Sequence, residues 1–432
     1  MRLFSTNSPT ELVDLRTAVL KGLPDDNGLY LPERIPELPA AFLRQLNTYS
    51  FPELSYLVAK RLLQGALPDS VLEELVHEAV NFPAPLVTLD ARLHVLELFH
   101  GPSMAFKDFG ARFMARLMGY FNRNEDRELI ILVATSGDTG GAVAAGFHRT
   151  PGIRVVILYP DGGVSAVQEK QLTTLGDNVT ALRVAGTFDD CQRLVKTAFL
   201  DPELTQQLRL SSANSINISR LIPQSFYYFE GFKQLSDRSK PVSFSIPSGN
   251  FGNLTAGILA KRMGLPIHKF IAATNANDVV PQYLSTGVYQ PRTSVRTLSN
   301  AMDVGAPSNF VRMQHLYGST WNMLKRDIVG YAYTDAQTED QMRATFREYD
   351  YVLDPHAAVG VLAAEAFASS NDDQVVVLET AHPGKFQRDV ERVVETSLRL
   401  PEQLERVLHQ PGVDHPTTAE FAPFKAWLLE NY

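Results

Sequence analysis

The chain has 432 residues, too many for a single ordinary hydrophobic core, so two or three domains are expected. Hydrophobic residues make up 44% and charged residues 20%, which is typical of a globular protein and excludes a disordered chain. The net charge of −8 is spread without long runs, which argues against nucleic acid or an anionic membrane as a partner. The single cysteine, Cys191, excludes an intramolecular disulfide and a cysteine-based zinc site. With no signal-peptide pattern and no apolar run of spanning length, the sequence predicts a cytoplasmic protein.

The first part of the chain, residues 1–95, is predicted to be a mainly helical N-terminal region that packs on the rest. Helical apolar spacing occurs in the segments 51–62 and 71–76. The proline pair Pro83 and Pro85 is predicted to end this region.

The next segment places a lysine at the start of a predicted helix. Apolar residues recur there at the three- to four-residue spacing of one buried helix face: Phe106, Phe109, Phe113, Leu117 and Tyr120. The positive end of the helix dipole and the aromatic neighbours are both expected to favour the neutral form of Lys107. A neutral amine is the form that attacks an aldehyde to make an imine. A surface lysine with its stem along the apolar face is the alternative interpretation.

Beyond residue 95, short β-rich runs alternate with glycine-containing turns and helical segments. The predicted strands are 129–134, 153–158, 179–184, 242–246, 269–273 and 374–378. Continuous apolar strands that alternate with helices are typical of parallel sheets covered on both faces. Because the strands form two sets, the sequence predicts two α/β domains, 96–240 and 241–432. Ligands of such folds bind at the carboxyl ends of the strands, here in the cleft between the domains.

Several of these strand ends carry residues suited to an anion. The loops are 135–140, 247–253 and 379–386, and a fourth polar segment, 212–220, contains amides, hydroxyls and one arginine. Each loop by itself could be a structural turn, and 212–220 could simply cap the following helix. The sequence lacks the GxGxxG spacing of nicotinamide sites. It also lacks the GxxxxGK(S/T) motif that carries the Walker lysine of nucleoside triphosphatases.

Taken together, the segments 101–108, 134–140, 214–220, 248–253 and 380–383 resemble the threonine synthase family. Its members are pyridoxal-phosphate enzymes of fold type II, similar to tryptophan synthase β subunits and serine/threonine dehydratases. The likeness is to the longer bacterial and fungal members and extends over essentially the whole chain, including 5–7 and 26–32.

The resemblance implies roles for individual residues. Lys107 would carry pyridoxal 5′-phosphate as a Schiff base and then act as the catalytic base. The cofactor would be held by Asp138 near the 3′-oxygen, by a phosphate loop and by Thr380 at the pyridine nitrogen; the loop is Gly249, Asn250, Phe251, Gly252 and Asn253. Donors to the substrate phosphate would be Ser136, Thr139, Asn214, Ser215 and Arg220. His356 also matches a family motif, but chemistry assigns it no role, and a histidine that merely begins a helix is equally acceptable.

The activity implied by the resemblance is the conversion of O-phospho-L-homoserine and water to L-threonine and phosphate, the last step of threonine biosynthesis. This makes the chain a carbon–oxygen lyase that acts on phosphates, with no metal, and monomer is favoured over homodimer. Two alternatives stay open: a serine/threonine dehydratase, and a catalytically silent relative that binds the cofactor or a phosphate ligand. The 214–220 segment favours the synthase over the dehydratase, because a dehydratase needs no second phosphate site.

Overall fold

The computed structural model describes all residues, Met1–Tyr432. The strands are β1 (Arg2–Ser5), β2 (Leu12–Asp14), β3 (Tyr30–Pro32), β4 (Leu86–Thr88), β5 (Leu93–Glu97), β6 (Leu129–Ala134), β7 (Ile153–Pro160), β8 (Val179–Ala185), β9 (Arg209–Ser212), β10 (Val242–Pro247), β11 (Ile267–Thr274), β12 (Ile328–Ala332), β13 (Gln374–Glu379) and β14 (His415–Thr418). The helices are α1 (Leu15–Lys21), α2 (Ala40–Arg44), α3 (Phe51–Leu63), α4 (Asp69–Ala79), α5 (Lys107–Asn122), α6 (Asp138–Phe147), α7 (Ala166–Thr173), α8 (Phe188–Leu200), α9 (Pro202–Gln207), α10 (Ile218–Leu221), α11 (Phe226–Gln234), α12 (Gly252–Arg262), α13 (Val279–Thr286), α14 (Phe310–Leu316), α15 (Trp321–Asp327), α16 (Asp335–Tyr349), α17 (Pro355–Ala368), α18 (Gln387–Val394), α19 (Glu402–Leu408) and α20 (Phe421–Asn431). Single 3₁₀ turns lie at Leu46–Thr48, Ile222–Ser225, Asn300–Met302 and Pro383–Phe386.

Two mainly parallel sheets form the centre of the molecule. One has six strands in the order β12-β11-β10-β13-β5-β4, and the other has five in the order β14-β8-β7-β6-β9. Every residue of β6, β10 and β13 is buried, because helices cover both faces of these strands. The α/β fold class and all six strands predicted from the apolar runs are confirmed.

Each of the two large sheets contains a strand from outside a single predicted region of the chain. Strand β5, which precedes Lys107, pairs with β13 of the six-stranded sheet, and β14 near the C-terminus pairs with β8 of the five-stranded sheet. Tertiary packing determines which strands pair, and β5 and β14 each pair with a strand from a distant part of the chain. The division into 1–95, 96–240 and 241–432 stays a prediction.

The N-terminal region contains the predicted helices, α3 and α4, and one feature that the sequence did not predict. Strands β2, β1 and β3 form a small antiparallel sheet. These strands are only three or four residues long, too short for a clear alternation of apolar and polar residues. Helix α3 begins at a capping box formed by Ser50 and Glu53.

Helix α5 confirms the helix predicted from Phe106 onward. Its Phe109 is fully buried, with its ring centroid 4.7 Å from that of Phe82 and 5.5 Å from that of Tyr227. This aromatic contact packs α5 against the N-terminal region and against α11. The first turn of α5 follows the carboxyl end of β5 in the chain. No helix of the chain is both long and apolar enough to cross a bilayer.

Candidate active site

The backbone around Lys107 is held by the segment that follows β13. Phe106 N–H donates to the carbonyl of Thr380 (2.8 Å), and His382 N–H donates to the carbonyl of Met104 (3.1 Å). Ala105 and Ala381 form an antiparallel bridge between these bonds. Lys107 therefore begins α5 directly beside Thr380, although the two residues are far apart in the sequence.

Lys107 lies in an environment that favours the free amine. Burial is the largest cause and lowers its pKa to about 8; the charges of Arg220 and Lys385 add to this effect, and Asp138 opposes it. The ring of Phe106 lies 5.8 Å from Nζ. A ring face at that distance attracts an ammonium group, so this aromatic neighbour opposes the shift that the sequence expectation attributed to it.

A buried ion pair lies beside Lys107. Lys385 Nζ is 2.7 Å from Asp138 Oδ1 and donates to the carbonyl of Ser103 (2.8 Å). Gln168 Nε2 also donates to Asp138 Oδ1 (3.0 Å). Burial by itself would raise the pKa of Asp138, but the positive charges of Lys385 and Lys107 outweigh burial and hold the pKa well below its usual range. Asp138 is therefore ionised, with the Lys385 ammonium group as its counter-ion.

The loop before α6 is shaped by Thr135 and Gly137. Thr135 Oγ1 accepts hydrogen bonds from the backbone N–H groups of Gly137 (2.9 Å) and Gly140 (2.8 Å). Gly137 has φ of 127°, and a Cβ there would lie 2.3 Å from the Gln168 side chain, so only glycine fits. Ser136 and Thr139 remain partly exposed on this loop, at the N-terminus of α6.

The segment after β9 lies next to that loop. Asn214 Nδ2 donates to the carbonyl of Ala134, the last residue of β6 (3.1 Å). Arg220 is buried, its Nη1 donates to the carbonyl of Ala213 (2.7 Å), and its Nε has no partner. It packs so closely on α5 that a Cβ at Gly110 would lie 2.7 Å from Nε. Burial lowers the pKa of Arg220 to about 10.

The loop after β10 presents backbone groups at the start of α12. Phe251 adopts the left-handed conformation (φ 58°) and its side chain is buried. The Asn253 side chain is used within the loop, where Nδ2 donates to the carbonyl of Pro247 (2.9 Å) and Oδ1 accepts from Ser248 Oγ. A Cβ at Gly249 would lie 2.9 Å from the carbonyl oxygen of Ala301, so this glycine permits a close approach of two loops.

A cavity of about 1160 Å³ opens at the same edge of the sheets. Ser136 and Lys385 line it, together with Arg296 and Arg388, whereas Lys107 does not. The cavity thus lies beside Lys385, although the Asp138–Lys385 ion pair itself is buried.

Both ring nitrogens of His356 form hydrogen bonds within the protein. Its Nε2 accepts a hydrogen bond from Ala301 N–H (3.1 Å), so the ring proton is on Nδ1, which lies 2.6 Å from Asp354 Oδ1. His356 therefore ties the start of α17 to the loop that touches Gly249.

A second set of titratable groups lies at the end of β13. Tyr351 Oη is 2.8 Å from Glu97 Oε1 and hydrogen-bonds to Glu379 Oε2, and His100 Nε2 is 2.7 Å from Glu97 Oε2. A phenol has one proton and cannot donate to two carboxylates, so one of the carboxyl groups must be the donor to Tyr351. Burial, Asp354 and Glu97 raise the pKa of Glu379 well above its usual range, which makes Glu379 the protonated group.

Three family models match the chain: "Pyridoxal-phosphate dependent enzyme" over residues 80–381, "Threonine synthase N terminus" over 2–80 and "Threonine synthase, C-terminal" over 357–414. The chain is 44% identical to a threonine synthase of Haemophilus influenzae, and the match covers 100% of both chains. The chain belongs to the threonine synthase family. The crystal structure of threonine synthase from Escherichia coli has a TM-score of 0.94 at 41% identity and covers 100% of both chains. A pyridoxal-phosphate-bound threonine synthase from Brucella melitensis has a TM-score of 0.93 at 36% identity, covering 100% of this chain and 99% of that one.

The family and its cofactor expected from the sequence are thereby confirmed, and the residues around Lys107 fit pyridoxal phosphate. Four buried polar atoms there have no partner in the protein: Ser103 Oγ, Asp108 Oδ1, Gln171 Oε1 and Arg220 Nε. Unpartnered buried polar atoms are rare in folded proteins and are typical of a site that awaits a polar group. In this threonine synthase family member, a partly neutral lysine and two glycine-containing loops at helix N-termini surround the same place.

The structure thus brings together the residues that the sequence expected at separate strand ends, although their individual roles stay predictions. The sequence reasoning missed two side chains that contact them, Lys385 and Gln168. Lys385 lies within the predicted loop 379–386, and a lysine directly after a strand end was the available signal. Gln168 gave no signal, because a glutamine in a helix is ordinary.

Proposed function

We propose that this chain converts O-phospho-L-homoserine and water to L-threonine and inorganic phosphate. The observation that carries the proposal is the position of Lys107, an amine with a pKa of about 8 next to Thr380 and between two anion-suited loops. One phosphate loop is needed for the cofactor, and the second suits a substrate that carries its own phosphate.

The cofactor would be held by groups on both sheets. The 249–253 loop would cradle its phosphate with backbone N–H groups at the start of α12, where the helix dipole favours an anion. Lys107 would hold it covalently, Asp138 would lie near its 3′-oxygen, and Thr380 would offer a neutral hydroxyl to its ring nitrogen. When bound, pyridoxal phosphate supplies an electron sink for the bonds at the amino-acid Cα.

Lys107 would then serve as the base of the reaction. Its lowered pKa leaves a useful fraction of free amine near neutral pH, and the same group can return the proton once it is charged. We propose that Nζ moves the protons at Cα, Cβ and Cγ. The Asp138–Lys385 pair contributes no net charge, so it leaves Lys107 available for both directions of transfer.

The substrate phosphate would be bound by Arg220 and by polar groups of two neighbouring loops: Ser136, Thr139, Asn214 and Ser215. Arg220 Nε has no hydrogen-bond partner in the protein, and the hydroxyls of Ser136 and Thr139 lie partly exposed at the N-terminus of α6, so these groups are available as donors. Water would add at Cβ after phosphate has left from Cγ. The buried position of Arg220 keeps the departing phosphate away from bulk water.

The test is to mix the purified holoenzyme with O-phospho-L-homoserine and measure threonine and inorganic phosphate in the same samples. The proposal predicts equal amounts of both products. A dehydratase would instead release ammonia and a 2-oxo acid from serine or threonine, and a silent relative would give no product with either substrate.

A second measurement locates the reactive amine. Borohydride reduction followed by peptide mapping is expected to find the cofactor on Lys107 and on no other lysine. Lys170 is a suitable control, because it donates to the carbonyl of Gln410 at an exposed site. A label on another residue, or no label, would contradict the assignment.

The monomeric state and the cytoplasmic location expected from the sequence also remain proposals. A small-molecule substrate by itself requires no partner chain. Analytical ultracentrifugation of the holoenzyme tests the first proposal, and cell fractionation tests the second.

A further inference from the structure

A fully buried arginine outside the assigned site connects the two phosphate loops. Arg312 lies on α14 and has no exposed surface. Its Nη1 donates to the carbonyl of Ser215 (3.2 Å) and its Nη2 to the carbonyl of Ile216 (2.6 Å), so it holds the backbone of the proposed substrate-phosphate segment. Its Nε donates to the carbonyl of Tyr30 at the end of the N-terminal sheet (3.0 Å).

Asn309 carries the connection to the second loop. Arg312 Nη1 donates to Asn309 Oδ1 (2.7 Å), and Asn309 Nδ2 donates to Ser215 Oγ (3.3 Å). The backbone N–H of Asn309 donates to the carbonyl of Asn250 in the proposed cofactor-phosphate loop (3.2 Å). Arg312 on α14 and Asn309, the residue just before this helix, therefore connect the two loops.

The charge of Arg312 has no carboxylate partner. All of its hydrogen bonds go to carbonyl or amide oxygens, and burial is the sole cause that lowers its pKa, to about 9. A buried cation without a counter-ion is costly unless an anion lies near it in the working state. The proposed function supplies such an anion, because a phosphate dianion would lie on the loop whose carbonyls Arg312 holds.

We propose that Arg312 is a positioning residue that sets the affinity for the substrate phosphate, through its hold on the 215–216 backbone and its uncompensated positive charge. It does not touch the phosphate; Arg220 and the loop donors do. The inference rests on the proposed function for the identity of the anion, but inorganic phosphate can test it without turnover.

The experiment compares Arg312→Met and Arg312→Lys with an arginine control in the same region. Arg262→Met is the control, because Arg262 is exposed and donates to a carbonyl, that of Leu316, at the other end of α14. Binding of inorganic phosphate to each holoenzyme is measured by calorimetry and by the phosphate-induced rise in melting temperature. KM and kcat are then measured with O-phospho-L-homoserine.

Arg312→Met is expected to raise the Kd for inorganic phosphate at least about tenfold and KM by a similar factor, while kcat changes less than about threefold. Arg312→Lys keeps the charge but loses the planar fork, so a rise of about threefold is expected. Arg262→Met should bind phosphate as the wild type does. Wild-type phosphate affinity in Arg312→Met, or an equal loss in Arg262→Met, would overturn the proposal.

If Arg312→Met does not fold, Arg312→Lys decides, and unchanged phosphate affinity in it would overturn the positioning role. If the wild type makes no threonine but Arg312→Met still loses phosphate affinity, the proposed function fails and the assignment of Arg312 stands. The two failures are therefore distinguishable.

Discussion

Replacement of Lys385 by methionine would test how the charges of the site lower the pKa of Lys107. Lys385 has no exposed side-chain surface and pairs with Asp138, which is also buried. Methionine has a similar length and no charge, so the variant leaves the Asp138 carboxylate without its cation. The nearest remaining ammonium group that acts on Asp138 is Lys107 itself.

The structure gives the size and sign of the effect. Removal of one partner from a buried ion pair costs about 3–5 kcal/mol of stability. Lys385 now lowers the pKa of Lys107 and Asp138 raises it, so the loss of Lys385 must raise the pKa of Lys107 above its present value of about 8. An opposite charge at this range shifts a pKa by about one unit or more, and each unit lowers the neutral fraction about tenfold at neutral pH.

The assay is the rate at which cofactor-free protein combines with pyridoxal phosphate, followed by absorbance from pH 6 to 10. The wild-type rate should rise with pH to a midpoint near the pKa of Lys107, about 8. Lys385→Met should move the midpoint up by at least about one pH unit. In the double variant Asp138→Asn/Lys385→Met both charges are gone, so the midpoint should return toward the wild-type value.

Urea unfolding of the same proteins separates this effect from a general loss of stability. The double variant should lose less stability than the two single variants together, because neither charge is left alone in the interior. A midpoint that stays in place or falls in Lys385→Met would refute the proposed charge balance. A double variant that remains shifted like the single variant would refute it as well.

Three further outcomes follow from the site. Lys107→Ala should abolish both threonine formation and the cofactor absorbance band, while the fold measured by circular dichroism persists. Arg220→Ala should raise KM for O-phospho-L-homoserine by about tenfold or more and change cofactor affinity much less, as titration with pyridoxal phosphate would show. The pKa of Glu379 is raised in the folded state, so between pH 4.5 and that raised pKa the native protein holds a proton that the unfolded chain has released. The free energy of unfolding therefore falls as the pH rises between these two values. Glu379→Gln should remove this slope, about 1.4 kcal/mol per pH unit, and Glu97→Gln should not; urea unfolding at pH 5 to 8 measures both.

The sequence by itself determined the alternation of strands and helices, the helix that begins at Lys107 and the loops at the strand ends. These features are local, because an apolar run or a three- to four-residue spacing is complete within one segment. The family resemblance was also readable, since its motifs are short and stand in order along the chain. The fold class and the cofactor could therefore be predicted before any contact was known.

Only the tertiary structure decided which charges meet. Nothing near Asp138 in the sequence indicates that Lys385 neutralises it, and nothing near Arg312 indicates that it holds Ser215 and Ile216. The same holds for β5, because one of its two partner strands, β13, lies almost 280 residues later in the chain. Such pairings depend on where whole elements pack and on how deeply a group is buried, and burial is what shifts a pKa or makes an unpaired charge costly. The local sequence indicates neither how whole elements pack nor how deeply a group is buried.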